Sequence, residues 1–127
     1  MNEKLQSTYG QVTGLGSAKE GTTHWLVQRI SAVALIPLSL WFVISVANME
    51  NYTHHDVLIW LSRPITTILM LLYIPTALYH GYLGIKVILE DYVHNEGTKI
   101  GCIIAAKFIF IPAGVMAVWA ILKVSFS

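Results

Sequence analysis

Three long apolar runs, separated by short polar connections, constrain the fold of this chain more than any other feature. They lie at about residues 24–47, 63–93 and 100–124. Each reaches the roughly 20 residues that a helix needs to cross the hydrocarbon core of a bilayer. The sequence therefore predicts an all-α integral membrane protein with three transmembrane helices, and the lipid bilayer is its first expected partner.

The composition supports a membrane protein of a single domain. Of the 127 residues, 55% are hydrophobic and only 12% are charged. That charged share is about half of what soluble globular proteins carry. The formal net charge of +1 comes without a basic stripe, so we expect no nucleic-acid partner. Cys102 is the single cysteine, which excludes an intramolecular disulfide or a zinc site built on a cysteine pair.

Residues 1–23 differ from the rest because they are polar, glycine-containing and without periodicity. We predict an N-terminal arm here, either disordered or ordered by a partner, followed by a three-helix transmembrane domain at residues 24–127. The arm has no apolar core of the signal-peptide type. We therefore expect the first span to act as its own uncleaved insertion signal.

The distribution of basic residues predicts the orientation. They are more frequent before the first span and around the 95–99 turn than in the 48–63 connection or at the C-terminus. Basic loops stay on the cytoplasmic side. We expect a multi-pass protein of the bacterial inner membrane with a cytoplasmic N-terminus, or of the mitochondrial inner membrane in a eukaryote. The short turn makes the second and third helices antiparallel neighbours, and Gly97 is expected to end the second helix.

Two charged residues fall inside the spans. Arg29 lies about one turn into the first helix, where it either snorkels to the surface or faces a protein-lined polar site. Gln28 and Ser31 beside it favour the polar site. Lys107 lies further inside the third span, and snorkelling to the nearer interface explains it without a function.

His80 is the most informative residue, because it lies in an otherwise apolar segment of the second span. An imidazole in lipid needs a hydrogen-bond partner or a metal, and ionisable residues inside membranes are functional candidates. Three interpretations remain open on the residues alone. His80 is an axial haem ligand, a proton-relay group, or a structural histidine bonded to a neighbouring helix.

The helical spacing after His80 favours haem. Residues His80, Gly84, Val87 and Asp91 follow intervals of four, three and four, so they share one helix face. Gly84 removes a side chain where a flat macrocycle needs space, although glycines also allow close helix packing. Iron in such a b-type site usually takes two axial imidazoles. The chain has no second histidine at the same depth, so the other ligand is expected from another subunit.

Asp91 and Tyr92 lie near the end of the same helix, about 16 Å along the axis from His80. A phenol there can donate a hydrogen bond to a quinone carbonyl, and a carboxylate can hold or relay a proton. The alternative is an ordinary interfacial tyrosine beside a solvated acidic pair. Both interpretations remain open from the residues alone.

Two motifs carry a resemblance to a known family. HW…QR opens the first span, and YHGYLGIKVILEDYVH closes the second. In this arrangement the chain resembles the smaller hydrophobic membrane anchor of succinate dehydrogenase, respiratory complex II, in its alphaproteobacterial and mitochondrial-like form. The likeness covers about residues 20–125 and includes the three spans and both polar clusters.

The resemblance implies roles for individual residues. The family's histidine on the second helix matches His80 and implies an axial ligand to haem b. Its tyrosine matches Tyr92 and implies a hydrogen bond to ubiquinone, with Asp91 beside it. Its arginine on the first helix matches Arg29 and implies a position near the haem propionates or the quinone pocket. His24 lies near the family's histidine before that arginine, and we assign it no role.

The resemblance also implies partners. A second membrane anchor would supply the other haem ligand, while an iron–sulfur protein and a flavoprotein would complete the complex. Succinate is oxidised on the flavoprotein, so this chain is expected to contribute to the enzyme without being catalytic alone. Two alternatives are the anchor of a fumarate reductase, running the reverse reaction, and a non-redox membrane scaffold.

Overall fold

The computed structural model describes the backbone of residues 16–127 and the side chains of residues 21–127. Over this range the chain forms four helices, α1 (Gly16–Ala47), α2 (His54–Ser62), α3 (Pro64–Tyr92) and α4 (Glu96–Ser125), and no β-strand. The predicted all-α class is confirmed.

Three of these helices are long and apolar enough to cross a membrane: residues Gly21–Ala47 of α1, and the whole of α3 and α4. At a rise of 1.5 Å per residue, α3 and α4 are each about 44 Å long. A hydrocarbon core is about 30 Å thick, so both helices tilt or extend beyond it. The prediction of three apolar transmembrane helices is therefore confirmed.

The first helix begins earlier than the sequence pattern indicated. α1 starts at Gly16, eight residues before the predicted start at His24. Residues 18–20 are good helix formers, so the helix continues past the point where the apolar run ends. Part of the predicted polar arm is thus helical, and residues 1–15 of that arm lie outside the described residues.

The turn before the last helix is shorter than predicted. α3 ends at Tyr92 and α4 begins at Glu96, because Asn95 caps α4 with its side-chain oxygen, which accepts the backbone N–H of Thr98 at 3.0 Å. Such a cap satisfies a donor that would otherwise be unpaired. Gly97 therefore lies in the first turn of α4, and the expectation that it ends the preceding helix is wrong.

The short helix α2 connects α1 to α3. Thr53 caps it, accepting the N–H of Asp56, and Pro64 then occupies the first position of α3, where its missing N–H costs nothing. Trp60 of α2 is only 8% exposed, and its indole N–H donates to Ser45 Oγ of α1 at 2.7 Å. α2 thereby links the two long helices at this end of the bundle, which we call the α2 end.

α3 is the central helix, with α1 and α4 packed on two of its faces. Towards α1, Ser31 Oγ lies 2.9 Å from His80 Nδ1. Eight residues further along α1 and seven back along α3, Ser39 Oγ donates to Tyr73 Oη at 3.4 Å. These two contacts define an antiparallel register between α1 and α3.

The contact between α3 and α4 is close at Gly81. A Cβ at this position would lie 3.5 Å from Phe110 Cε1, so the glycine lets the α4 ring lie against the α3 backbone. The Phe110 ring also meets Tyr82 edge to face, with centroids 6.1 Å apart. At the α2 end, Thr67 Oγ1 donates to the Leu61 carbonyl oxygen at 2.8 Å and lies 3.1 Å from Ser125 Oγ of α4.

The main apolar cluster lies at the α2 end and is built around Trp60, Met70 and Ile121. Many other large apolar side chains on the long helices are exposed, among them Val33, Ile36 and Leu40 of α1, Ile88 of α3 and Phe108 of α4. In a membrane protein such side chains face lipid or other subunits. At the opposite end of the bundle, α3 terminates at Asp91 and Tyr92, and we call this the Asp91 end.

Candidate functional site

His80 is held by a hydrogen bond from the neighbouring helix. Its Nδ1 lies 2.9 Å from Ser31 Oγ, and the same oxygen lies 2.8 Å from the backbone carbonyl oxygen of Gln28. A carbonyl oxygen only accepts, so the single hydroxyl proton of Ser31 goes to Gln28. Both contacts are satisfied when His80 Nδ1 carries the ring proton and donates it to Ser31. The geometry therefore favours the Nδ1–H tautomer.

In this tautomer Nε2 of His80 carries the free lone pair. Nε2 has no hydrogen-bond partner within residues 21–127, and it is not among the enclosed, unpartnered atoms of that range, so it keeps accessible surface. A neutral imidazole with its other N–H held by a hydrogen bond is the form in which histidine binds a metal. The arrangement offers one metal ligand.

The space beside Gly84 is open. A Cβ added there would meet nothing within 4 Å, in contrast to Gly81, which lies close to the Phe110 ring. Close packing between helices of the described part of this chain therefore does not explain the glycine at 84. A flat group bound to His80, one helical turn away, would find room there.

α1 carries a polar stripe that includes Ser31, the residue in contact with His80 of α3. His24, Gln28 and Ser31 follow a spacing of four and three residues, which puts them on one face of the helix. His24 Nε2 is enclosed and has no hydrogen-bond partner in the described part of the chain. It lies about 10 Å along α1 from Ser31. A buried polar atom without a protein partner is often satisfied by an ordered water or ion.

Ser31 is the site residue that the sequence interpretation missed. We grouped Gln28 and Ser31 with Arg29 because the three are close in sequence. The structure instead joins Ser31 to His80. The spacing from His24 to Ser31 is the signal that would have separated this stripe from Arg29.

Arg29 lies on another face of α1. Two residues from Ser31, it is rotated about 160° around the helix, and its guanidinium carbon lies 5.4 Å from the centroid of the Trp25 ring. This is a cation–π contact on an exposed part of the helix. The chain alone does not bring Arg29 to His80, and its predicted place near haem propionates or quinone stays a prediction.

Asp91 and Tyr92 are the last two residues of α3, and both are exposed, Tyr92 to 77%. Within residues 21–127 neither side chain has a hydrogen-bond or ion-pair partner. Asp91 is rotated only about 20° from His80, whereas Tyr92 is rotated about 120°. The two polar groups are thus open for contacts with a ligand or with another subunit.

A large groove lies away from these residues. It has a volume of about 720 Å³ and lies between α3 and α4. The residues of α3 that line the groove, Pro75, Leu78, Tyr79 and Tyr82, lie on a different face of the helix from His80. Apart from Lys107 and the phenols of Tyr79 and Tyr82, the lining is apolar. None of the predicted haem or quinone residues belongs to it, so its size does not identify the site.

The described residues hold no group of three or more histidine, cysteine or acidic side chains that a metal ion would need. His80 is therefore a single ligand, and any metal bound to it takes its remaining ligands from elsewhere. An oriented imidazole and open space at Gly84 fit a haem that is shared with another chain.

Comparison with known proteins identifies the family. Residues 3–114 match the family described as "Succinate dehydrogenase/Fumarate reductase transmembrane subunit". The chain belongs to this family. The resemblance found in the sequence is confirmed, and the chain is a multi-pass transmembrane subunit with the three spans described above.

Individual members of this transmembrane-subunit family agree with the match. The "Succinate dehydrogenase hydrophobic membrane anchor subunit" of Rickettsia bellii is 43% identical over 94 residues, which cover 72% of this chain and 74% of the relative. The protein of the same name from Paracoccus denitrificans is 32% identical over 95 residues, with 75% and 74% covered. The "Succinate dehydrogenase membrane anchor subunit" of Reclinomonas americana is 32% identical over 96 residues, with 73% and 80% covered.

Proposed function

We propose that this chain is the anchor subunit of a succinate:ubiquinone oxidoreductase, supplying one axial ligand to haem b and part of the ubiquinone-reduction site. The observation that carries the proposal is the 2.9 Å contact between His80 Nδ1 and Ser31 Oγ, which leaves Nε2 accessible. The names of the relatives support the succinate dehydrogenase side of the family.

His80 would bind the haem iron through Nε2. An imidazole of the second membrane anchor would complete the axial pair. The open space at Gly84 accommodates part of the macrocycle, and Arg29 is proposed to approach the propionates or the quinone pocket once the second anchor is present. When bound, the haem supplies a one-electron carrier inside the bundle.

Tyr92 and Asp91 would serve the quinone. The Tyr92 phenol is exposed and donates a hydrogen bond to a ubiquinone carbonyl, which orients the ring and withdraws charge from the oxygen that is reduced. Reduction takes up two protons as well as two electrons. The Asp91 carboxylate, also exposed, is suited to hold a proton beside this oxygen and deliver it.

The Asp91 end would face the cytoplasm, or the matrix in a mitochondrion, and would receive the iron–sulfur protein. That protein passes electrons from the flavoprotein to the quinone near Tyr92. Succinate is oxidised on the flavoprotein, so this chain has no part in binding succinate and is not catalytic alone. The complex would reside in the bacterial inner membrane, or in the mitochondrial inner membrane of a eukaryote.

The test is purification of the native complex through an affinity tag on this chain. We expect a flavoprotein, an iron–sulfur protein and a second anchor to co-purify, with a b-type haem in the reduced-minus-oxidised spectrum and succinate:ubiquinone reductase activity. A complex without haem would instead match the non-redox scaffold. A complex that contains a low-potential quinone and reduces fumarate faster than it oxidises succinate would indicate the fumarate reductase alternative.

A further inference from the structure

We propose that Ser31 is a positioning residue for His80. Its hydroxyl fixes the tautomer and orientation of the imidazole, and through them the electron donation of Nε2 to a bound haem iron. This inference rests on the proposed ligation by His80 and adds to it a residue of α1 that acts without touching the haem.

The burial of Ser31 supports this role. The residue is 8% exposed in the chain alone, although it lies on a membrane-spanning helix whose neighbours Ile30 and Val33 are exposed. Its hydroxyl already donates a hydrogen bond within its own helix, to the Gln28 carbonyl oxygen. A second contact, to an imidazole on another helix, is therefore not needed to keep the serine in place, and its effect falls on the histidine.

The two hydrogen bonds, from His80 to Ser31 and from Ser31 to Gln28, run in the same donor-to-acceptor direction. The Gln28 carbonyl draws the Ser31 proton, which leaves the lone pairs of Ser31 Oγ to accept from His80 Nδ1–H. Hydrogen bonds in series polarise one another, most of all where the surroundings are apolar. A metal-binding histidine that donates its other N–H is held in one orientation and becomes a stronger base. Ser31 would thus make Nε2 more electron-rich.

A more electron-rich ligand stabilises ferric over ferrous iron. Loss of the Ser31 hydroxyl should therefore weaken the ferric state more than the ferrous state and shift the haem midpoint potential upwards. Loss of a hydrogen-bond partner of a metal-binding histidine typically lowers the metal affinity by at least about tenfold. A tenfold loss confined to the ferric state corresponds to an upward shift of about 59 mV.

Two variants and one matched control isolate the hydroxyl. Ser31→Ala removes it, whereas Ser31→Thr keeps it, because a helical threonine can also bond a carbonyl in the preceding turn. Ser39→Ala is the control. Ser39 lies two turns further along α1 and also bonds α3, at Tyr73 Oη, so this change removes the same atom from the same helix pair without touching His80.

The experiment is a redox titration of the haem in the purified, assembled complex, together with the electron paramagnetic resonance spectrum of the ferric haem. We expect an upward potential shift and an altered ferric spectrum for Ser31→Ala, and wild-type values for Ser31→Thr and Ser39→Ala. A wild-type potential and spectrum in assembled Ser31→Ala would overturn the proposal, as would an equal shift in Ser39→Ala.

If Ser31→Ala fails to assemble, Ser31→Cys provides the test, since a thiol is of similar size but a weaker acceptor. We expect a smaller shift in the same direction, and an unchanged potential would again overturn the proposal. Failure of the proposed haem ligation has a different signature, because His80→Ala would then retain the wild-type haem spectrum. If His80 ligates the haem and Ser31 has no effect on it, His80→Ala loses the haem signal while Ser31→Ala keeps the wild-type potential.

Discussion

Replacing Gly84 by leucine tests whether the open space one turn after His80 belongs to a cofactor. A glycine in a membrane helix either allows close helix packing or leaves room for another group. In this chain a Cβ at Gly84 meets nothing within 4 Å. The helices described here therefore do not require the glycine, and they leave room for a Cβ at this position.

The expected changes in chain stability and haem affinity follow from this open space. Because an added Cβ meets no atom of the chain, we expect the substitution to leave the stability of the isolated chain unchanged or to raise it by up to about 1 kcal/mol, the helix-propensity penalty of glycine. If a macrocycle occupies the space, the new side chain overpacks it at a cost of about 1–3 kcal/mol. That corresponds to a loss of roughly 5- to 150-fold in haem affinity.

The assay is the ratio of haem to flavin in the purified complex, with size-exclusion chromatography to report assembly. Gly101→Leu is the matched control, because a Cβ at Gly101 of α4 also meets nothing within 4 Å. We expect full assembly of both variants and a reduced haem ratio only for Gly84→Leu. A normal haem ratio in Gly84→Leu would show that no cofactor occupies the space, and loss of the whole complex would assign the space to a partner helix.

Three further substitutions test the quinone residue and the packing of the bundle. Tyr92→Phe should lower ubiquinone reduction while leaving succinate oxidation by an artificial dye unchanged, and equal activities with both acceptors would contradict the quinone role. Thr67→Val removes the hydroxyl that bonds the Leu61 carbonyl and Ser125 and should destabilise the chain by about 1 kcal/mol, measured by unfolding in mixed detergent micelles. Trp60→Phe keeps an aromatic ring but removes the donor to Ser45 and leaves a cavity in the apolar cluster, so the expected loss exceeds the roughly 1 kcal/mol of the hydrogen bond; unchanged unfolding would contradict both contributions.

The three spans and His80 were predictable from the sequence for simple reasons. Length and hydropathy are sums over many residues, so single exceptions such as Arg29 or Lys107 do not hide a span. An imidazole in an apolar segment is conspicuous because burying it without a partner is costly. Gly84 and Asp91 followed from His80 through helical spacing alone.

The partner of His80 was not predictable in the same way. Which α1 residue meets His80 depends on the register between α1 and α3, and α2 with its flanking connections determines that register. Sequence proximity grouped Ser31 with Arg29, whereas helical rotation puts them on different faces. The start of α4 was missed for a local reason, because Asn95 was interpreted as part of a turn when its side chain caps the helix.

We propose above all that His80 ligates a haem, and the decisive test is the reduced-minus-oxidised spectrum of the assembled His80→Ala complex. His55→Ala is the control, since His55 is an exposed histidine at the start of α2. We expect a weakened or absent b-type haem signal in His80→Ala and a wild-type signal in His55→Ala. An assembled His80→Ala complex with a full, unaltered haem spectrum would rule out ligation by His80.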